Sequence, residues 1–419
     1  MLHIAQYFPI TDPTLVFFVV LLIILFAPII MGKLRIPHII GMVLAGVVVG
    51  EYGLDILVRD DSFELFGRVG LYYIMFLAAL EMDMESIRKN KNQLLIFGLL
   101  TFTVPLVLIY FMGISLLNYG KTASLLLGCI MASNTLVAYP IVSRYGLQRK
   151  PSVTLSVGSS MIALLFSLIL LAAIVASNSG EGSIGFWLLF VLKFIAYCGG
   201  VIFLLPRLTR WFLRRYSDAV MQFIFVLASV FLCAALSAAI GLEGIFGAFL
   251  AGLILNRYIP SVSPLMNRLE FIGNALFIPY FLISVGMLID ITVLYKTPFV
   301  IVITTSLVFF GTVGKAAAAY LIAKVFKLQK HAGQMMFGLT AAHAAGSIAM
   351  LLVGLEIAKN GGSEQIVTND VLNGVVVMIL ITCVLASFVT QSASQKMVVA
   401  DNIISNEPAN NIDDERILI

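Results

Sequence analysis

Runs of roughly 20 apolar residues, each long enough to cross the hydrocarbon of a bilayer, recur along this 419-residue chain. No other feature limits the fold so tightly. Where water cannot reach the backbone, every N–H and C=O must be satisfied inside the protein, so only helices and closed barrels span a membrane. Barrel strands would alternate apolar and polar residues over short segments. These runs are continuously apolar instead, as between Leu15 and Ile30. Composition agrees: 60% of residues are hydrophobic and 11% charged, whereas about a quarter are charged in soluble domains. The chain therefore reads as an all-α polytopic membrane protein.

The pattern predicts thirteen spans, at 14–31, 38–54, 65–84, 93–114, 121–143, 153–176, 184–206, 219–240, 244–258, 270–289, 298–323, 333–356 and 369–392. Positive charge collects in alternate loops. Lys33 and Arg35, Arg88 to Lys91, Arg144 to Lys150, Arg207 to Arg215, Arg257 and Arg268, and Lys324 to Lys330 all fall in one set. The other set holds only Arg59, Lys121, Lys296 and Lys359. Excess lysine and arginine mark the cytoplasmic side, which places the N-terminus outside and the C-terminus in the cytoplasm. Topology thus accounts for the net charge of +4, and the partner it implies is the lipid bilayer, not nucleic acid. All four cysteines lie inside predicted spans and have no metal-ligand or disulfide spacing. The first span lacks the basic flank and cleavage site of a signal peptide, so it reads as a retained span.

The chain also repeats itself. Gly41 to Gly46 of span 2 matches Gly247 to Gly252 of span 9, and Phe76-Leu77 with Met82 in span 3 matches Phe281-Leu282 with Met287 in span 10. The offsets, 247 − 41 = 206 and 281 − 76 = 205, nearly agree. Matching spans lie seven apart, an odd number, so the copies cross the membrane in opposite senses. Inverted repeats of this kind place a transport site near the midplane, between discontinuous helices.

Span 5 is interrupted by Ser133, Asn134 and Thr135 and again by Pro140, which removes a helical hydrogen bond. Two accounts fit: a hard-oxygen ion site built on unwound backbone, or a proline kink whose polar side chains bond back to the helix. Seven spans on, span 12 reads Gly338 to Ser347 with His343 at its centre. His343 is either a proton carrier or a neutral imidazole bonded between helices. Lys315 in span 11 lies nine residues before Lys324, about 13 Å along a helix. That is too deep for an easy snorkel, and ionisable residues at such depth mark pathways. Span 6 runs from residue 153 to 176 without an aspartate or glutamate. Phosphate-loop and catalytic-triad patterns are absent, so the chain does not read as an enzyme, and no cofactor is expected beyond transported ions.

An ordered set of motifs carries a family resemblance. It comprises Arg35 to Gly41 with Leu44 to Gly46, Phe76 to Asp83, Ala132 to Thr135, Arg144 to Leu147, Gly247 to Gly252, Ser284 to Met287, and Gly314-Lys315. Together they resemble the membrane domain of monovalent cation:proton antiporters of the second family, the Kef-type and sodium/proton exchangers, over residues 14 to about 393. The resemblance implies two broken helices crossing at the midplane, a homodimer, elevator-like movement and a bacterial inner-membrane location. It makes 1–393 the transmembrane domain and 394–419 a cytoplasmic tail, either disordered or the entry to a cytosolic regulatory domain beyond Ile419. Ser133, Asn134, Thr135, Ser160, Lys315, His343 and Ser347 become the candidate ion-site residues, with an alkali cation as the only metal. The family's span 6 carries one or two acids where this chain has Ala163 and Leu164. The expectation is therefore exchange of Na⁺ or K⁺ for protons without that acid. The alternative is a coupling-deficient member: a uniporter, a carrier of another solute, or a non-transporting sensor.

Overall fold

The computed structural model describes residues 9–33, 38–82, 84–179, 184–260, 262–288, 298–344, 346–347, 350–351 and 369–406. Through the first half the helices are α1 (Pro13–Lys33), α2 (His38–Val49), α3 (Asp61–Leu80), α4 (Met84–Lys89), α5 (Lys91–Ser115), α6 (Lys121–Ala132), α7 (Tyr139–Arg144) and α8 (Pro151–Ser179). The long α9 (Ile184–Arg215) follows, then α10 (Ala219–Ala239), α11 (Gly244–Leu255), α12 (Pro264–Ile272) and α13 (Ile278–Met287). The last three are α14 (Pro298–Val325), α15 (Ala332–Thr340) and α16 (Asn369–Asn406). Among the described residues, nine helices are long and apolar enough to cross a membrane, counting α12 to α13 as one, and α2, α6 and α11 are shorter apolar helices. Helix starts follow local chemistry. Asp60 caps α3 by accepting from the Phe63 amide, Asp218 caps α10, and Ser263 caps α12 immediately before Pro264.

The sequence repeat reappears as repeated packing. α1 lies on α2 as α10 lies on α11, and α5 packs against α6 and α8 as α14 packs against α15 and α16. The two copies interlock through α2 on α13, α11 on α3, and α5 on α14. The glycines that carried the repeat are the contact points. A Cβ on Gly46 would strike the Ile283 carbonyl, and one on Gly286 would strike that of Val43. At the equivalent position, Gly252 sits against the Phe76 carbonyl and Ala79. Small residues let backbones touch where apolar lipid gives no hydrophobic drive to association. α5, α6, α8, α14, α15 and α16 thus form one bundle, with α7 packed on α16, and α1, α2, α3, α10, α11 and α13 form the other. α9 lies outside the repeat, packed mainly on α10 and α11, with most of its described residues exposed.

Three boundaries differ from the sequence expectation. α9 runs on to Arg215, because an amphipathic helix can continue out of the bilayer on its polar face. Span 10 begins at Pro264 and contains a π-turn at Gly273–Phe277. Tyr73 packs its ring on Gly273 and donates its hydroxyl to the Leu269 carbonyl at 2.9 Å, at the entry to that turn. α16 continues past residue 392 to Asn406. Residues 407–419 and Glu356 lie outside the described residues.

Candidate functional site

Both expected interruptions are present, and they touch. α6 stops at Ala132, where Ser133 turns extended (φ −67°, ψ 157°), and the chain re-enters helix only at Tyr139. Pro140 falls in the first turn of α7, where its missing N–H costs nothing. Pro140 therefore starts a half-helix; it does not kink a continuous one. In span 12, α15 ends at Thr340 and residues 342–344 are non-helical. The Thr135 amide donates to the Ala342 carbonyl at 3.0 Å, so one break is hydrogen-bonded directly to the other.

A helix end leaves its last four carbonyls without intrahelical partners. At the end of α6 the carbonyls from Cys129 to Ala132 are each bonded, the first by the last helical amide and the other three by side chains. The Cys129 carbonyl accepts from the Ser133 amide at 3.3 Å, and that of Ile130 from Ser133 Oγ at 2.8 Å. His343 Nε2 reaches the Met131 carbonyl at 3.2 Å, and Lys315 Nζ reaches that of Ala132 at 2.6 Å. A carbonyl can only accept, so the network assigns the His343 proton to Nε2. His343 is 1% exposed and Lys315 fully buried.

Lys315 spends its other two protons on Asn134 Oδ1 at 2.8 Å and the Thr101 carbonyl at 3.0 Å. The Thr101 carbonyl is free because its helical donor would be residue 105, and Pro105 has no N–H. Close approach of α14 makes the contact feasible. A Cβ on Gly314 would lie 3.0 Å from Pro105 Cα, so only glycine lets the two helices meet there. Asn134 is oriented in turn by Ser160: its Nδ2 donates to Ser160 Oγ at 2.9 Å, while Ser160 gives its own proton to the Ser156 carbonyl. Three charge-assisted hydrogen bonds and the negative end of the α6 dipole offset the cost of burying this ammonium.

No carboxylate among the described residues takes part. The three ion pairs among the described residues are Arg59–Glu64, Arg68–Glu64 and Lys89–Glu85, all at the surface. Ala163 is fully buried and packs with Ala132 and Phe102, beside the end of α6, whereas Leu164 packs in the main core. Ser133, Asn134, Thr135, Ser160, Lys315 and His343 thus converge on one crossing. Ser347 is buried on the same interrupted span, but its hydroxyl has no hydrogen-bond partner among the described residues, nor does His343 Nδ1.

Sequence reasoning missed two contributors. Thr101 joins through a backbone oxygen, and the only signal for it was a proline four residues downstream. Glu81 was passed over as a span-end residue, yet it is buried and accepts from Tyr139 Oη at 2.5 Å and Ser143 Oγ at 3.4 Å. It thereby ties the end of α3 to the half-helix α7.

Chemically, Lys315 is a tethered monovalent cation held by neutral oxygens. Carbonyl and amide oxygens are also the ligands that replace the hydration shell of an alkali cation.

The chain resembles known proteins over most of its length. The family model described as sodium/hydrogen exchanger, transmembrane, matches residues 21–396. A Na⁺/H⁺ antiporter of Synechocystis, NhaS5, is 33% identical over 94% of this chain, and the match spans 57% of that protein's length. Probable Na⁺/H⁺ antiporter 3 of Methanocaldococcus jannaschii is 30% identical over 67% of this chain and 73% of its own. A structure of the sodium proton antiporter MjNhaP1 from the same archaeon superposes with a TM-score of 0.68 at 19% identity, covering 94% of this chain and 99% of that one. With its span pattern, its two touching helix breaks and this match, the chain belongs to the sodium/hydrogen exchanger family of membrane proteins.

Proposed function

We propose that the protein exchanges a monovalent cation, Na⁺ or K⁺, for protons, and that Lys315 carries the proton in place of the span-6 acid. One observation supports this above the others: the Lys315 ammonium rests on the Thr101 and Ala132 carbonyls and Asn134 Oδ1, with no carboxylate beside it among the described residues. Those oxygens suit either an ammonium or an alkali cation. Two positive charges this close, away from water, would repel strongly. Binding of one cation therefore favours loss of one proton from Lys315, and rebinding of the proton expels the cation. The site holds a single positive charge in either state, so exchange is one for one and electroneutral. Ser133, Thr135, Ser160, His343 and Ser347 complete or orient the site. Elevator-type movement of the bundle that holds both breaks, a homodimer, the Kef-type branch, and a bacterial inner membrane with the C-terminus inside complete the reading. Residues 1–393 form the transporting domain and 394–419 a cytoplasmic tail.

Reconstitution in liposomes carrying a pH gradient tests it. Added Na⁺, K⁺ or Li⁺ collapses the gradient, and clamping the membrane potential leaves the rate unchanged. Absence of a response to every cation would sink the claim.

A second reading has its own support in α8. Ser156, Ser159 and Ser160 turn their hydroxyls onto their own helix, and no acid lies between residues 153 and 176. A chain so built is a uniporter, a carrier of another solute or a non-transporting sensor, with Lys315 a fixed structural cation. Ala163→Asp separates the two. In a fixed-cation protein it introduces coupling where none existed; in an exchanger it changes a rate already present.

A further inference from the structure

Away from the crossing, the arginine-rich end of α9 forms a cleft with α4 and α11 that nothing in the exchange reading uses. It has a volume of about 830 Å³. Its polar rim is Arg88, Arg207, Arg210 and Arg257 with Tyr258. Among the described residues none of these arginines pairs with a carboxylate. Arg207 lies over the Phe203 ring, 5.6 Å from its centroid, and donates to the Phe203 carbonyl at 2.6 Å, while Arg210 points a nitrogen at Tyr258 Oη, 3.5 Å away. Four guanidiniums lining one cleft, with no counter-ion among the described residues, repel one another, and an anion would relieve that repulsion.

The rest of the cleft says which anion. Its walls are apolar, made by Ile202, Phe203 and Pro206 of α9 and Leu253 and Ile254 of α11. Ile202 and Phe203 are 51% and 63% exposed, so the apolar wall continues onto the outer face of α9. At 32 residues, α9 is about 48 Å long, well beyond the roughly 30 Å hydrocarbon core. Trp211, 59% exposed, marks where it leaves the bilayer, as interfacial aromatics do. A small soluble anion needs the arginines and has no use for the walls. A phospholipid uses both. We infer that this cleft is a binding site for an anionic phospholipid, with its phosphate on Arg207, Arg210, Arg257 and Arg88 and an acyl chain along Ile202, Phe203, Leu253 and Ile254. Among the described residues α9 packs mainly on α10 and α11, so a seated lipid would fasten this connector between the two repeats.

The inference does not depend on transport, and its test uses no flux. Purified protein is delipidated in detergent and supplied with phosphatidylglycerol, phosphatidylcholine, or inorganic phosphate. Lipid retention is read by native mass spectrometry and stability by thermal unfolding. Phosphatidylglycerol is retained and raises the unfolding temperature; phosphatidylcholine and phosphate do neither. The triple variant R207Q/R210Q/R257Q weakens phosphatidylglycerol binding by roughly tenfold or more. Removing three charges elsewhere, as K324Q/K327Q/K330Q, leaves it unchanged. Because the arginines are exposed, the first variant keeps its fold, and an R207K/R210K/R257K protein that regains binding verifies this. Equal retention of both lipids, equal loss in the lysine variant, or an equal effect of phosphate alone would each overturn the site.

Discussion

The two interrupted spans solve the same problem with different means. At the end of α6, the Ile130, Met131 and Ala132 carbonyls are each satisfied by a side chain, two of them by basic groups brought from α14 and span 12. The break after α15 is closed by neutral donors. The Thr135 amide takes the Ala342 carbonyl, Cys383 Sγ lies 3.0 Å from that of His343, and the Ser347 amide returns to Ala344. His343 Nδ1 and Ser347 Oγ go without a partner among the described residues. One break is thus fixed by charge and the other only by fit. Any cation that enters has to contend with Lys315 at the first break, whereas at the second the Glu243 carboxylate lies beside Gly346, 3.3 Å from where a Cβ would sit.

Removing the charge should break the contrast with the largest effect. Lys315→Met leaves the Thr101 and Ala132 carbonyls and Asn134 Oδ1 buried and unpaired, at about 1–3 kcal/mol each. Thermal unfolding in detergent should drop accordingly, and cation-dependent proton movement should vanish. Adding a charge is the next largest change. Ala163→Asp sets a carboxylate beside the end of α6, and it should raise the cation concentration needed for half-maximal exchange or alter its pH dependence, as read by dye quenching in liposomes. A wild-type profile in the folded variant would place residue 163 away from the site. The side chains of the second break should matter least. His343→Phe leaves a single buried carbonyl, that of Met131, unpaired, for about 1–3 kcal/mol. Ser347→Ala removes a hydroxyl that bonds nothing described and should be near neutral or slightly stabilising in the same unfolding assay. A larger loss from Ser347→Ala than from His343→Phe would reverse the ranking of these two positions.

Much of this arrangement was legible in the sequence, for reasons that differ by residue. The spans follow from apolar length. Ser133 to Thr135 and Pro140 announce an interruption, though the sequence left open whether it was an unwound break or a proline kink. Lys315 stands out by depth alone. What the sequence did not reveal are contacts made by backbone atoms or across long separations. The Thr101 carbonyl has no side-chain signature, and the approach of Gly314 to Pro105 joins residues about 200 apart in sequence. Glu81 looked like an ordinary span-end acid until Tyr139 and Ser143 were seen to bond it. The extension of α9 went unrecognised because arginines after an apolar run read equally as loop.

The central claim is that one ammonium and one alkali cation compete for the same neutral oxygens. Proton release on cation binding tests it most directly. Purified protein in weakly buffered detergent is titrated with NaCl or KCl, with choline chloride as the control, and the pH of the solution is followed. The account predicts release of about one proton per chain at saturation, absent with choline and absent in Lys315→Met. Cation binding without proton release, or release that survives in folded Lys315→Met, would contradict it.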